Sequence, residues 1–137
     1  EDMQKQLTWL DQTLKDAKED WVVVVGHHPI YAETGKTINE RLDMQRRVLP
    51  LLHKYGNVAM YVCGHIHNFQ HIQMKGDNID YVVNSSASLA RKVKPVDGTV
   101  FCSPAEGFSV LTADKKQLRL SMIDKDGNVI HTVTKNK

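Results

Sequence analysis

The sequence predicts a mixed α/β fold in which two helix–strand units are followed by antiparallel strands. Three patterns carry that expectation. The aliphatic run Val22 to Val25 follows an amphipathic stretch, a second apolar run, Val58 to Val62, follows another, and beyond residue 68 the hydrophobic period shortens to two with regularly spaced turn signals.

Each element has its own warrant. Leu7, Leu10 and Leu14 recur at helical spacing, which predicts a helix over about residues 2–18. Trp21 to Val25 is a continuous apolar run between Asp20 and Gly26, suited to a strand covered on both faces. The polar stretch 29–39 reads as a loop of functional length. Residues 40–55 predict the second helix, on Leu42, Val48, Leu49 and Leu52, with Pro50 kinking or restarting it and Gly56 ending it. Strands are then expected at 69–75, 79–84, 107–112, 117–123 and 129–134, separated by turns such as Gly76-Asp77-Asn78 and Asp126-Gly127-Asn128. Residues 85–105 are expected to be an irregular surface loop. The chain thus divides into a helix–strand–helix–strand part, 1–62, and a part with a candidate metal loop and mainly antiparallel strands, 63–137. Two central strands and two helices cannot cover an α/β sheet, so neighbouring strands are expected from elsewhere.

Composition sets broad limits. The 137 residues are 41% hydrophobic and 25% charged, with a net charge of +2 spread along the chain. No basic surface for nucleic acid is indicated. No apolar run reaches the roughly 18 residues of a membrane span. The opening Glu1-Asp2-Met3-Gln4-Lys5 is unlike a signal peptide, and the chain starts as though cut from something longer. Cys63 lies in an apolar run and is expected to be a buried thiol rather than half of a bridge to Cys102.

The histidines carry the chemistry. Val24-Val25-Gly26-His27-His28-Pro29 and Val62-Cys63-Gly64-His65-Ile66-His67-Asn68 each place Gly-His directly after an apolar strand. Ligands in α/β sheets gather beyond the C-terminal strand ends, and glycine is expected to let the backbone turn sharply there. On an extended backbone His65 and His67 fall on one side, ~6.5–7 Å apart, so as to share one metal or serve two. Neutral imidazole suits zinc, iron, copper or nickel. His28, fixed in extended geometry before Pro29, is expected to point to solvent, or toward substrate if the loop curls. His53 and His131 read as surface residues, and His71 as structural. Ser85, Ser86 and Ser88 lack a nucleophile elbow, and no CxxC, GxGxxG or P-loop occurs.

Gly26-His27-His28-Pro29 and Gly64-His65-Ile66-His67-Asn68 resemble the last two metal motifs of the calcineurin-like metallophosphoesterases, closest to the purple (tartrate-resistant) acid phosphatase branch. The resemblance extends through Gln6-Leu7-Thr8-Trp9-Leu10, Leu49-Pro50-Leu51-Leu52 and Glu106-Gly107-Phe108. It implies half of a four-layer α/β/β/α sandwich, the C-terminal part of a catalytic domain. It also implies a dinuclear centre of iron with iron, zinc or manganese, with His27 and His65 on one metal and His67 on the other. The implied activity is hydrolysis of a phosphomonoester by a hydroxide generated between the metals. The implied partners are a phosphate-ester substrate and the missing N-terminal half of the domain. The family's Asp-x-His, bridging Gly-Asp and Gly-Asn-His motifs do not precede Gly26, so the isolated chain is expected to hold no dinuclear centre and to be inactive. The loop Tyr31 to Lys36 lacks the branch's substrate-side histidine, which leaves His28 and Lys36 as candidate phosphate contacts. The resemblance also implies a secreted or periplasmic setting. A phosphodiesterase or nucleotide hydrolase of the same superfamily, or a non-catalytic half-domain that binds a partner, are the alternative readings.

Overall fold

The computed structural model describes residues 2–35 and 38–137, and Lys36 therefore lies outside the described residues. Three helices and eight strands follow in the order α1 (Asp2–Asp16), β1 (Val22–Val25), α2 (Ile38–Arg47), α3 (Leu49–Lys54), β2 (Val58–Cys63), β3 (Phe69–Gln73), β4 (Asp80–Val83), β5 (Thr99–Ser103), β6 (Gly107–Ala113), β7 (Gln117–Asp124) and β8 (Val129–Asn136).

The valines of β1 and the Val58-Ala-Met-Tyr-Val-Cys run of β2 favour extended backbone and pair in parallel, as helix-connected strands must. A five-stranded sheet results, in the order β1-β2-β4-β3-β5. β2 and β4 are also parallel, whereas β3 runs antiparallel to both β4 and β5. The neighbours expected from elsewhere thus come in part from this chain, and β1 is left at an edge with Val25 exposed. β6, β7 and β8 make a second, antiparallel sheet.

Two apolar layers hold these sheets. Alternation along β2 sends Tyr61 and Cys63 toward the helices, where they meet Leu14, Leu52 and Tyr81, and sends Met60 and Val62 toward the second sheet. There Met60, Phe69 and Val82 pack against Leu118, Leu120, Met122 and Val133. The described layers are helices, mixed sheet, antiparallel sheet. That is the mixed α/β arrangement expected from the residues.

Three expectations need correction. The helix foreseen over 40–55 is two helices, because Pro50 sits in the first turn of α3, where no amide donor is required, and Val48 forms the junction. The loop foreseen at 85–105 contains β5, whose pairing with β3 satisfies its backbone groups. His131 is not a surface residue: its ring stacks on Phe101 at 4.4 Å and its Nε2 lies 2.9 Å from Nδ1 of His71.

His71 belongs to a buried polar clamp between the two sheets. Its Nε2 is 2.7 Å from Oδ1 of Asp80, which also accepts from Gln73 at 2.8 Å, while Lys135 on β8 donates to Oδ2 at 2.8 Å. Both cysteines are free, and burial pushes the Cys63 thiol well above its ordinary pKa, so it stays protonated and inert.

Candidate metal centre

Because β1, β2 and β4 are parallel, their C-terminal ends share one edge of the sheet, and the residues after them are forced together. The ladder continues past the strands: Gly26 N–H donates to Val62 O at 3.0 Å, and Gly64 N–H to His27 O at 3.2 Å. The first glycine is there for space. A Cβ on Gly26 would lie 2.2 Å from the hydroxyl of Tyr61, a buried ring whose OH donates to His28 O at 2.7 Å. Neither Gly26 nor Gly64 takes the left-handed backbone expected of a sharp turn, and a Cβ on Gly64 would meet open space. Gly26→Ala is therefore expected to displace Tyr61 and cost about 1–3 kcal/mol, read as a lower Tm, whereas Gly64→Ala should be tolerated far better.

The left-handed residues are the histidines themselves. His65 has φ 73° and His67 φ 58°. Non-glycine residues in this region are uncommon, cost roughly 1–3 kcal/mol each, and cluster at functional sites. Residues 65–68 thus form a bend, not the extended backbone expected. His65 turns toward β1, where its Nδ1 lies 3.0 Å from Nε2 of His27. His67 lies 3.2 Å through Nδ1 from Leu89 O, and with His65, Asn84, Ser85 and Ser86 lines a cleft of about 310 Å³.

His28 differs from its expected solvent orientation. The loop curls because Tyr61 holds its carbonyl and Pro29 and Ile30 are buried, so the ring sits 5.0 Å from that of His27 and 4.7 Å from that of His65. The donor atoms of His27, His28 and His65 all lie within 4.8 Å of one another. The structure thus brings His27 and His65 together as expected and adds His28, while His67 joins His65 in lining the adjoining cleft.

Two residues went unseen in the sequence. Glu40, in the first turn of α2, places Oε2 2.8 Å from Nε2 of His65 and 3.3 Å from Nε2 of His28. Gln70, fully buried on β3, accepts from Glu33 N–H at 2.7 Å and donates to Glu33 O at 2.9 Å, pinning the loop after His28. A glutamine in an otherwise apolar strand, Phe69-Gln70-His71-Ile72, was the available signal for the second. Nothing local marked Glu40. Ser85 contributes packing, since its hydroxyl donates to Ala105 O at 2.7 Å.

The calcineurin-like phosphoesterase family model matches residues 1–69, half of the chain, including both Gly-His segments. The chain belongs to the calcineurin-like phosphoesterase family. Within it, the chain is 41% identical over 134 residues to tartrate-resistant acid phosphatase type 5 of Rattus norvegicus, covering 89% of this chain and 39% of that protein. It is 30% identical over 130 residues to purple acid phosphatase 3 of Arabidopsis thaliana, covering 89% and 34%. The chain spans well under half the length of these relatives. Among solved structures, one titled "GAP50 the anchor in the inner membrane complex of Plasmodium" superposes with a TM-score of 0.83 at 26% identity, over 97% of this chain and 42% of that one. PhoD, at 13% identity and a TM-score of 0.72 over 97% of this chain and 33% of its own, shares the fold. No helix among the described residues is long and apolar enough to cross a membrane.

Proposed function

We propose that the protein carrying this chain is a metal-dependent phosphohydrolase acting on phosphomonoesters, with these residues as the C-terminal part of its catalytic domain. The supporting observation is the meeting of His27 and His65, from the ends of two parallel strands, at 3.0 Å between ring nitrogens. Two neutral imidazoles presented edge to edge suit a transition-metal ion, with Zn–N bonds of about 2.0–2.1 Å and comparable lengths for iron. The donor chemistry therefore fits the metals that the family resemblance implies.

In this reading His27 and His65 hold one ion of a pair, and His67 holds the second. The two-metal assignment implies iron with iron, zinc or manganese. Bound metals supply Lewis acidity toward phosphate oxygens and acidify water. The chain's own residues then position and shield. The left-handed backbone at His65 and His67 carries both imidazoles to the edge of one cleft from three residues of chain. Gln70 fixes the backbone of Glu33 and so the rim of the site. Ser85 and Ser86 line the same cleft as His67. The carboxylates that would offset the charge of two cations belong to the missing N-terminal half of the domain, with which β1, an open edge, is suited to pair. A secreted or periplasmic setting accompanies this reading.

The test is hydrolysis of a chromogenic phosphate ester by the protein with the rest of its domain, together with metal analysis. Two metals per protein and turnover of a monoester are expected. A metal-replete protein that cleaves only diesters or nucleotides, or nothing, overturns the proposal. Residues 1–137 alone are expected to show negligible turnover, because among the described residues Glu40 is the carboxylate within ion-pair distance of the histidine cluster, at 2.8 Å from His65 and 3.3 Å from His28.

A further inference from the structure

Left-handed backbone outside glycine occurs at three of the described residues, and all three lie in or against the bend after β2. They are His65 (φ 73°), His67 (φ 58°) and Leu89 (φ 56°). Leu89 stands between β4 and β5 and is 75% exposed, so burial does not repay its strained backbone. The contact this residue makes is through its carbonyl, which lies 3.2 Å from Nδ1 of His67. Two residues on, Arg91 N–H donates to His67 O at 2.8 Å, and Lys92 O accepts from Nδ2 of Asn68 at 3.5 Å. Segment 89–92 is thus laid along His67 and Asn68, and one of its carbonyls meets the imidazole itself. A carbonyl oxygen only accepts, so Nδ1 of His67 carries the proton, and in the neutral ring the lone pair is left on Nε2. An acceptor on the far nitrogen of a ligating imidazole fixes its tautomer and ring orientation.

Asn68 carries the connection inward. Its Oδ1 accepts from Nε2 of Gln70 at 2.8 Å, and Gln70 accepts from Glu33 N–H at 2.7 Å and donates to Glu33 O at 2.9 Å. Asn68 is buried and Gln70 fully so. Gln70 shares the helix-side face of β3 with Ile72, where an aliphatic residue would pack without needing a partner. Instead both amide protons and the oxygen of Gln70 are used. The loop after His28, the histidine bend and segment 89–92 become one hydrogen-bonded unit.

We infer that segment 89–92 is a positioning strap for His67: the Leu89 carbonyl holds Nδ1–H and leaves Nε2 for the second ion, while the Asn68–Gln70 amide pair keeps strap and bend in register. This rests on reading His67 as a metal ligand, and goes beyond it in naming the atom that ligates and the groups that aim it. The ring is oriented before an ion arrives, which lowers the ordering cost of binding.

The test uses the protein with the rest of its domain, first metal-free and then titrated with Zn²⁺. With isotope-labelled histidine nitrogens, at a pH where the rings are neutral, nuclear magnetic resonance of the metal-free protein should place the His67 proton on Nδ1. His67→Ala identifies the signal. Leu89→Val, whose β-branched side chain is excluded from the left-handed region, should lose that tautomer preference and bind the second ion about 10–100-fold more weakly. Leu89→Gly, which adopts a φ of 56° freely, should keep the tautomer and remain within about twofold of wild type. Gln70→Leu should weaken the second ion about tenfold, with Gln70→Met standing in should circular dichroism show the leucine variant unfolded. The ion at His27 and His65 should hold within about twofold throughout, a split that general loosening of the fold does not produce. A wild-type His67 protonated on Nε2, or wild-type affinity for the second ion in Leu89→Val or Gln70→Leu, overturns the inference. So does equal loss in Leu89→Gly and Leu89→Val, or equal weakening of both ions. Each of these outcomes leaves the phosphohydrolase reading standing. That reading falls separately, on absence of monoester turnover by the metal-replete protein.

Discussion

Replacing His65 with alanine is expected to strip the first metal from the proposed phosphohydrolase and to lower kcat/KM for a phosphomonoester by more than about two orders of magnitude. The estimate follows from outer-shell partners alone being worth about 10–100-fold, so that a direct ligand must be worth more. His65 also sits at the centre of the site, between His27 at 3.0 Å and Glu40 at 2.8 Å, so its loss leaves His27 without its partner and Glu40 with His28 alone. The expected pattern is a folded, metal-depleted, inactive protein. Metal content by mass spectrometry alongside kinetics checks it, and an active His65→Ala protein with full metal content would dismiss the assignment.

Asp80→Ala is expected to have the largest effect on stability, about 3 kcal/mol, or a fall of about 10 °C in Tm for a chain of this size. The substitution leaves buried His71 and the half-buried Lys135 without their shared carboxylate, and opens the seam between the two sheets. Burial by itself raises the pKa of Asp80, but hydrogen bonds from His71, Lys135 and Gln73, with the charge of Lys135, outweigh it and hold the carboxyl at about 2. A depressed acid stabilises the fold above its unfolded pKa, ~3.9, and that contribution, roughly 2–3 kcal/mol, is lost as pH falls from about 4 toward 2. Burial, and then the neighbouring His71, also lower the pKa of His131, so its protonation on unfolding weakens the fold as pH falls below about 6.5. Both act in the same direction. Wild-type protein should lose stability in acid in two stages, and Asp80→Asn, which keeps the shape but not the charge, should lack the lower stage. Tm measured from pH 2 to pH 8 separates these outcomes.

Much of this arrangement was legible in the residues. The runs Val22 to Val25 and Val58 to Val62 read as strands and pair in parallel, with the Gly-His after each at the same sheet edge, although β1 is an edge strand with Val25 exposed rather than one covered on both faces. The antiparallel strands after residue 68 declared themselves by alternation and by their turns. β5 did not, because Thr99–Ser103 is short and its hydrogen bonds are all made to a strand far back in sequence. His131 was misread for the same reason: it looks like an outward position on an edge strand until Phe101 and His71 are brought against it. The extended path expected for His65 to His67 failed because strand β2 ends at Cys63 and residues 65–68 bend.

The sequence by itself determined which histidines reach the functional pole, since hydrophobic runs of strand length, joined by helices, fix strand direction and hence which ends share an edge. The tertiary structure decided which of those rings face one another. That choice depends on two left-handed residues, on the Tyr61 hydroxyl holding the backbone of His28, and on Glu40 reaching in from another element. The last two are contacts between groups distant in sequence, and the free energy that selects them exists only once the sheet has assembled.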